Sequence, residues 1–272
     1  MTASHDWSSH FPLEAIQASR IGIITDVDGT ISPIVSQPDA ATVTPRNRDL
    51  LIKLQKKLAL VAVVSGRAAA DVHGRVGIPE LVYVGNHGLE RWVGDGVDVP
   101  DAVQQFRPQM ETVRDLLRER TLPGMLVEDK IATLSVHYRN ADNPEVAASL
   151  FQPIINAISE KHGLRVHEGR MIFEVRPPLD INKGTAFRAL VEDYQLNTAL
   201  YLGDDVTDVD ALNMARHLRE TGVCYGVAVG VESADDDTPP TVRQASDFLV
   251  DGVTGVEDFF DWFLNALSAS VS

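Results

Sequence analysis

Residues 21–30 read IGIITDVDGT, a short apolar run that stops at a carboxylate. An apolar run of this length without alternation is typical of a parallel strand that is buried on both faces. Two further runs of the same kind, 60–64 and 81–84, stop at Ser65 and Gly85, and leucines at helical spacing separate the first run from the second. Strands that alternate with helical segments form βαβ units, so we expect a doubly wound α/β fold with a parallel sheet.

The same pattern returns near the end of the chain. Residues 186–194 have the spacing of an amphipathic helix, and the buried run 199–202 ends at Gly203. Residues 226–229 and 248–250 have the composition of the last strands of the same sheet. We therefore predict a Rossmann-like core that is built from both ends of the chain.

The middle of the chain changes character. Its pattern predicts the order helix, strand, strand, helix, strand, strand, which suits an inserted α+β domain. Segments rich in proline and glycine, 94–100 and Pro177-Pro178, flank this stretch and mark its limits. We expect the first part of the core, the insert and the second part of the core at 1–101, 102–178 and 179–272.

Composition and charge argue against several functions. Twenty-four Lys and Arg against 39 Asp and Glu give a net charge of −15 over 272 residues, which argues against nucleic acid as a partner. The single cysteine, Cys224, rules out an intramolecular disulfide, and we expect a buried core thiol rather than a nucleophile. No stretch has the roughly 20 apolar residues of a membrane span, and no signal peptide is recognisable. We expect a soluble cytoplasmic protein with no membrane association and no obligate protein partner, in which residues 1–19 are mostly disordered.

Candidate catalytic residues follow the ends of the predicted strands. Ligands of an open parallel sheet bind outside the carboxyl ends of its strands, so Asp26, Ser65 and Asp204 are expected to meet in one crevice. Asp28 lies two positions after Asp26 and precedes a glycine. A carboxylate can attack phosphorus, and a second acid can protonate the leaving oxygen and later activate water. The alternative is an Asx-Gly turn that only caps the strand.

Further acids crowd the same crevice. Asp205 and Asp208 follow Asp204, and like charges at this density repel unless a cation neutralises them. Mg²⁺ fits, because it takes oxygen ligands and is usually held by one or two carboxylates together with substrate phosphate. The alternative for Asp205 and Asp208 is capping of a helix that begins near Val206.

A transferring phosphoryl group also needs hydroxyl and cationic partners. Ser65 opens the turn after the second strand, and Lys183 stands at the start of a helix, where free N–H groups and the helix dipole favour an anion. We predict that both residues hold the phosphoryl group. The alternative for Lys183 is an ordinary surface lysine.

Four segments together resemble the motifs of the haloacid dehalogenase superfamily, in the expected order: 26–30, Ser65, Lys183 and 203–208. The resemblance implies that Asp26 is the nucleophile and that Asp28 is the general acid/base. It also implies a Mg²⁺ site formed by Asp26, Asp204 and the carbonyl of Asp28. Asp205 and Asp208 would lie next to these ligands without binding the ion themselves. The insert is then the cap domain that this superfamily places between its second and third motifs.

More specific strings resemble the trehalose-6-phosphate phosphatase family: 28–34, 65–67, 85–90, 127–130, 137–139, 174–177 and 203–208. This resemblance implies hydrolysis of trehalose 6-phosphate to trehalose and phosphate through an aspartyl phosphate. It implies further that Glu128, Lys130 and Glu174 bind the disaccharide. Glu128 and Lys130 also share a face of their predicted strand because they lie two positions apart. The alternative for all three is a solvated strand edge with surface ion pairs.

Two side chains near the crevice have more than one possible role. Arg67 could bind an oxyanion of the substrate, or it could brace Asp28 or Glu90. His87 could bind substrate or only support its loop.

Other functions share part of this pattern. The same chemistry could act on sucrose phosphate or mannosyl-3-phosphoglycerate, and a phosphomutase would return the phosphoryl group to a sugar. A non-enzymatic phospho-acceptor module that resembles response-regulator receivers also uses an acidic pocket, a hydroxyl and a lysine. Such a module needs neither Asp28 nor an insert of this size.

Overall fold

The computed structural model describes residues 7–11, 20–35, 41–169, 171–232 and 238–269. The chain divides into two compact units, which we call the core unit (Met1–Val97 with Ile181–Ser272) and the insert unit (Asp98–Asp180). The limits predicted from the sequence, 102 and 178, fall inside the insert unit.

Strands and helices alternate along the described residues. The strands are β1 (Ile21–Thr25), β2 (Leu60–Val64), β3 (Val82–Gly85), β4 (Glu90–Val93), β5 (Gly96–Asp98), β6 (Leu126–Asp129), β7 (Leu134–His137), β8 (Arg165–Gly169), β9 (Ile172–Arg176), β10 (Thr198–Gly203), β11 (Tyr225–Glu232) and β12 (Phe248–Asp251). The α-helices are α1 (Pro45–Gln55), α2 (Ala69–Val76), α3 (Asp101–Gln104), α4 (Arg107–Arg118), α5 (Pro144–Lys161), α6 (Lys183–Asp193), α7 (Val209–Glu220), α8 (Pro240–Ala245) and α9 (Gly252–Ala269). Single turns of 3-10 helix cover Ser8–His10, Asn86–Gly88 and Val206–Asp208.

The core unit is organised around one sheet. Its described strands lie in the order β12-β11-β10-β1-β2-β3-β4-β5. β1 is central and pairs in parallel with two neighbours, so that Ile23 lies opposite Leu200 on β10 and Val61 on β2. The carboxyl ends of β1, β2 and β10 consequently share one edge of the sheet, where ligands of such sheets bind.

Helices cover both faces of this sheet, which explains why its central strands are apolar throughout. One face packs against α1, α2 and α9, through fully buried side chains such as Leu51, Val72 and Phe260. The other face packs against α6, α7 and α8, and Phe187 and Leu212 belong to that core. The predicted doubly wound α/β class is confirmed.

The insert unit has a core of its own. Its described strands form an antiparallel sheet in the order β6-β7-β9-β8. Val113 of α4 and Phe151 of α5 are fully buried in the core that these helices form with the sheet. Apart from the short α3, the elements follow the predicted order of helix, two strands, helix and two strands.

Several elements of the core unit were not predicted. β4 pairs antiparallel with β3, and β5, which lies within the predicted flank of the insert, extends the same sheet. Most residues of these two strands are at least partly exposed, so they lack the apolar run that marks a buried strand. The helices α2, α8 and α9 were not predicted either.

The expectation of a mostly disordered segment 1–19 is wrong for residues 7–11. Trp7 and Phe11 are buried, and their rings contact Phe259 and Trp262 of α9. The rest of this segment, 1–6 and 12–19, lies outside the described residues.

Two expectations from composition concern burial and membranes. Cys224 is a buried free thiol, as predicted. Among the described residues, no helix combines the length and the apolar character that crossing a membrane requires. The cytoplasmic location stays a prediction.

Candidate active site

The loop after β1 forms the centre of the site. The backbone N–H of Asp26 donates to the carbonyl of Leu202 over 2.9 Å, which joins the ends of β1 and β10. The N–H of Gly29 donates to the carbonyl of Ser32 over 2.8 Å and closes a tight turn. Gly29 has a left-handed φ of +82°, and a Cβ at this position would collide with the carboxylate of Asp204. The glycine lets the loop lie directly against Asp204.

Lys183 lies between two carboxylates of this region. Its Nζ is 3.1 Å from Asp26 Oδ2 and 2.7 Å from Asp208 Oδ1, and all three side chains are buried. Asp208 also accepts hydrogen bonds from the Tyr201 hydroxyl over 2.6 Å and from the N–H of Asp205 over 3.1 Å. Asp208 therefore anchors Lys183 beside Asp26, while Asp205 begins the 3-10 turn that carries Asp208.

Burial and like charge determine the protonation of these groups. Burial raises the pKa of Asp26 well above its usual value; attraction to Lys183 opposes this shift, and repulsion from Asp208 adds to it. Burial, followed by the charge of Asp208, raises the pKa of Asp204 to about 7. Burial favours neutral Lys183, but the charges of Asp208 and Asp26 outweigh it and raise the lysine pKa. One lysine does not neutralise these carboxylates when all three are ionised, so a further cation would relieve their repulsion.

Arg67 binds the second acid of the loop. Its Nε lies 2.6 Å from Asp28 Oδ2 and its Nη2 lies 2.8 Å from Oδ1, a two-pronged pairing that fixes the plane of the carboxylate. Burial alone would lower the pKa of Arg67, but the hydrogen bonds and charge of Asp28 outweigh burial and raise it. In this structure Arg67 braces Asp28, one of the roles that the sequence left open.

The turn after β2 brings Ser65 and His87 together. The N–H of Ser65 donates to the carbonyl of Val84 over 3.0 Å, and its own carbonyl accepts from the N–H of His87 over 2.9 Å. The N–H of Arg67 donates to Ser65 Oγ over 3.2 Å. A Cβ at Gly66 would lie 2.6 Å from His87 Nε2, so the histidine ring packs directly against this glycine and would have to shift for a larger residue.

The acids can hold a divalent cation. Carboxylate oxygens of Asp26, Asp204 and Asp208 lie within 4.8 Å of one another. Asp208 already accepts from Lys183, Tyr201 and a backbone N–H, so Asp26 and Asp204 are the better ligands. An all-oxygen donor set suits a hard cation. The role of the Asp28 carbonyl as a ligand stays a prediction.

The predicted sugar-binding residues lie on one sheet face of the insert unit. Glu128, Ser135 and Glu174 are neighbours across β6, β7 and β9, on the face opposite the core helices. Glu174 is buried, and its Oε1 lies 3.0 Å from Lys130 Nζ. His137 Nε2 lies 2.8 Å from Glu128 Oε2. The structure therefore gathers Glu128, Lys130 and Glu174 into one polar surface within this unit.

Three contacts were missed from the sequence. Thr30 donates to Asp204 Oδ1 over 3.1 Å, and Tyr201 anchors Asp208 from within an apolar strand. Asp71 Oδ2 lies 3.2 Å from Nη1 of Arg67. The available signals were the need of a buried tyrosine hydroxyl for a partner and the four-residue spacing from Arg67 to Asp71.

Comparison with known proteins identifies relatives over most of the chain. The family model described as Trehalose-phosphatase matches residues 24–243. The trehalose-phosphate phosphatases of Mycobacterium marinum (strain ATCC BAA-535 / M) and Mycobacterium tuberculosis (strain ATCC 25618 / H37Rv) are each 34% identical to this chain. These alignments cover 94% and 91% of this chain but 64% and 62% of those proteins, so the chain spans less than two thirds of their length.

Solved structures share the fold. The structure described as the C. albicans trehalose-6-phosphate phosphatase C-terminal domain has a TM-score of 0.73 at 22% identity and covers 93% of this chain and 95% of that chain. Aspergillus fumigatus trehalose-6-phosphate phosphatase, crystal form 3, has a TM-score of 0.60 at 26% identity and covers 93% and 96%. The family model begins within β1 and ends within α8, and so contains every candidate site residue from Asp26 to Asp208. The chain therefore belongs to the trehalose-phosphatase family.

Proposed function

We propose that the chain hydrolyses trehalose 6-phosphate to trehalose and inorganic phosphate. The observation that carries the proposal is the pairing of Asp26 with Lys183. Asp28 lies two positions after Asp26 in the sequence. A carboxylate beside a fixed positive charge, with a second acid close by, suits attack on phosphorus. Membership of the family and the names of the mycobacterial relatives support trehalose 6-phosphate as the substrate.

The first transfer forms an aspartyl phosphate. A carboxylate oxygen of Asp26 attacks phosphorus, and the bond between phosphorus and the ester oxygen of the sugar breaks. Asp28, in its carboxylic acid form, gives its proton to that oxygen, so the sugar leaves as a neutral alcohol. Lys183 and Ser65 hold the phosphoryl oxygens during the transfer.

The second transfer restores the protein. The carboxylate of Asp28 takes a proton from water while the water oxygen attacks phosphorus. The bond between phosphorus and the Asp26 oxygen breaks, which releases inorganic phosphate and regenerates the Asp26 carboxylate. Asp28 is protonated again and can serve the next substrate molecule.

Asp26 and Asp204, with the backbone carbonyl of Asp28, are the groups that would hold Mg²⁺ in this site. The ion, when bound, would neutralise charge on the phosphoryl group as it transfers. The crowding of Asp26, Asp204 and Asp208 supports this assignment, because these carboxylates lie close together with one lysine between them.

The insert unit supplies the groups that would bind the sugar. Glu128, Lys130 and Glu174 present carboxylate acceptors and an ammonium donor on one sheet face, and such groups match sugar hydroxyls. His87, which lies beside Ser65 in the core unit, is a further candidate for contact with the substrate.

The proposal is tested by phosphate release from a panel of esters in the presence of Mg²⁺. The panel contains trehalose 6-phosphate, sucrose 6-phosphate, glucose 6-phosphate and p-nitrophenyl phosphate. We expect kcat/KM for trehalose 6-phosphate to exceed that for glucose 6-phosphate at least about tenfold. In Glu174→Gln this preference should shrink, while hydrolysis of the aryl ester should stay close to wild type.

The contrary outcomes separate the parts of the proposal. Hydrolysis of the aryl ester without hydrolysis of trehalose 6-phosphate would remove the sugar assignment and leave the Asp26 chemistry. Faster hydrolysis of sucrose 6-phosphate would replace the substrate. No phosphate release from any ester would contradict the proposed function as a whole.

A further inference from the structure

We propose that Asp71 is a positioning residue for the acid/base step: it fixes the guanidinium of Arg67, which in turn orients the carboxylate of Asp28. This inference rests on the proposed function, because it gives Asp71 a part in the same reaction.

Four charged side chains form a continuous series of ion pairs: Arg75, Asp71, Arg67 and Asp28. Arg67 places Nε and Nη2 on the two carboxylate oxygens of Asp28, at 2.6 and 2.8 Å. Its remaining nitrogen, Nη1, lies 3.2 Å from Asp71 Oδ2. Arg75 Nε lies 2.8 and 2.7 Å from the two oxygens of Asp71, and Arg75 Nη1 donates to the carbonyl of Ala41 over 3.1 Å. Asp71 is therefore shared between two arginines, one of which is tied to the backbone.

The helix α2, which carries Asp71 and Arg75, is held in place at both ends. Asp71 lies in its first turn, where the helix dipole favours a negative charge. Glu90 Oε1 accepts from the N–H of Ala69 over 2.6 Å, which satisfies the start of a helix whose own N-cap residue offers no side-chain acceptor. At the other end, Arg48 Nη2 donates to the carbonyl of Gly77 over 2.7 Å. Both ends of α2 are thus held by side chains from other elements.

Asp28 needs such support because its reaction demands a defined orientation. Its side chain is 34% exposed, so packing alone does not fix the carboxylate. An arginine carries several rotatable bonds, and its pairing with Asp28 is only as well defined as the guanidinium itself. Asp71 holds the third nitrogen of that planar group and so restricts the plane in which Arg67 meets Asp28.

The test is a double-mutant cycle between Asp71 and Asp28. The substrate is whichever ester of the panel the wild-type protein hydrolyses fastest. We expect Asp71→Ala to lower kcat about 10- to 30-fold while KM changes less than about twofold. In an Asp28→Asn background the same substitution should lower kcat less than about twofold, because the group that Asp71 orients is already gone.

A second variant and a control keep the test sharp. Asp71→Asn has nearly the size of the native residue but lacks its charge, and we expect a smaller loss of kcat that also disappears in the Asp28→Asn background. Glu192→Gln breaks the pair between Arg188 and Glu192 on α6, which has the same four-residue spacing at 2.8 Å. This control should keep kcat within about twofold of wild type in both backgrounds.

Two outcomes would overturn the inference. Equal losses of kcat from Asp71→Ala in the wild-type and Asp28→Asn backgrounds would show that Asp71 acts on the stability of α2 and not through Asp28. Wild-type kcat in both Asp71 variants would show that Arg67 needs no such support. Failure of the proposed function looks different, because the wild-type protein would then release no phosphate from the panel.

Discussion

Lys183 and Asp208 determine the surroundings of Asp26, the proposed nucleophile. Asp208 is fully buried and accepts from Lys183 and Tyr201, so it holds the ammonium group in one place. Lys183 is then a fixed positive charge beside Asp26, and it need not be recruited as charge develops on a substrate. The buried Tyr201 hydroxyl contributes indirectly to the position of Lys183, because it fixes the Asp208 carboxylate that holds the lysine.

Replacing Asp26 by Asn removes the proposed nucleophile but keeps its size and a hydrogen-bond acceptor for Lys183. We expect kcat of Asp26→Asn to fall at least about a thousandfold, because an amide does not form the acyl phosphate. The circular dichroism spectrum should match that of the wild-type protein. Asp251→Asn, which changes an exposed carboxylate at the end of β12, is the control and should keep wild-type kcat. Substantial turnover by Asp26→Asn would contradict the nucleophile assignment.

At this scale the sequence predicted the neighbours better than their contacts. The proximity of Asp26 and Asp204 could be predicted from the sequence, because the carboxyl ends of parallel strands lie at one edge of the sheet. The partner of Arg67 could not be chosen, because it depends on the path of the turn after β2 and on the side-chain torsions. Tyr201 was missed because its strand is otherwise apolar and its hydroxyl partner lies beyond the strand end.

Among the elements, α6 links local structure to the site most directly. Asn182 accepts from the N–H of Thr185 over 2.9 Å, and Thr185 Oγ1 accepts from the N–H of Asn182 over 3.0 Å. This reciprocal cap defines the first turn of the helix, and Lys183 is the first residue of that turn. The cap therefore helps to determine where the ammonium group can reach.

Removing this cap should affect both stability and turnover. We expect Asn182→Ala to lower the free energy of unfolding of the core unit by about 1 kcal/mol. We also expect kcat to fall several-fold, because the start of α6 carries Lys183. Denaturant unfolding and steady-state kinetics measure the two effects.

The insert unit offers a matched control for this prediction. Asn143 caps α5 and accepts from the N–H of Val146 over 3.1 Å. Asn143→Ala should cost a similar amount of stability, in the insert unit, while kcat stays near wild type. Equal kcat in the two variants would contradict the link between the α6 cap and Lys183.

Elements with a strong apolar signal could be predicted, and the others could not. β1, β2 and β10 are buried on both faces and were found within one or two residues of their observed limits. β4 begins with a buried glutamate and continues with partly exposed residues, so it shows neither an apolar run nor alternation. Its place in the sheet depends on antiparallel pairing with β3, and no local sequence pattern predicts this pairing.

At the scale of the whole molecule, the two units have separate cores, and the proposed cation site belongs to the core unit alone. Adding Mg²⁺ should therefore raise the melting temperature of the core unit, by about 3 °C at ten times the dissociation constant. Differential scanning calorimetry with and without EDTA measures this shift. The effect needs no substrate, so it tests the cation site apart from turnover.

Asp204→Asn is the informative variant for this experiment. It removes a ligand and also a source of repulsion among the buried carboxylates, so we expect a higher melting temperature without Mg²⁺ and little further rise with it. Asp251→Asn should respond to Mg²⁺ as the wild-type protein does. NaCl at equal ionic strength controls for screening, and an undiminished Mg²⁺ shift in Asp204→Asn would contradict the assignment of this ligand.

The position of β1 has a consequence for the order in which the chain matures during synthesis. Ile23 leaves the ribosome before the insert unit does, yet its strand is flanked on one side by Leu200, which follows the whole insert unit. Long-range pairing of this kind forms late, whereas a segment with its own core can collapse as soon as it has emerged. The unit proposed to bind the sugar is therefore complete before Asp26, the proposed nucleophile, gains its second neighbouring strand. A nascent chain released before β10 is made holds no assembled site of the kind proposed for the phosphoryl group.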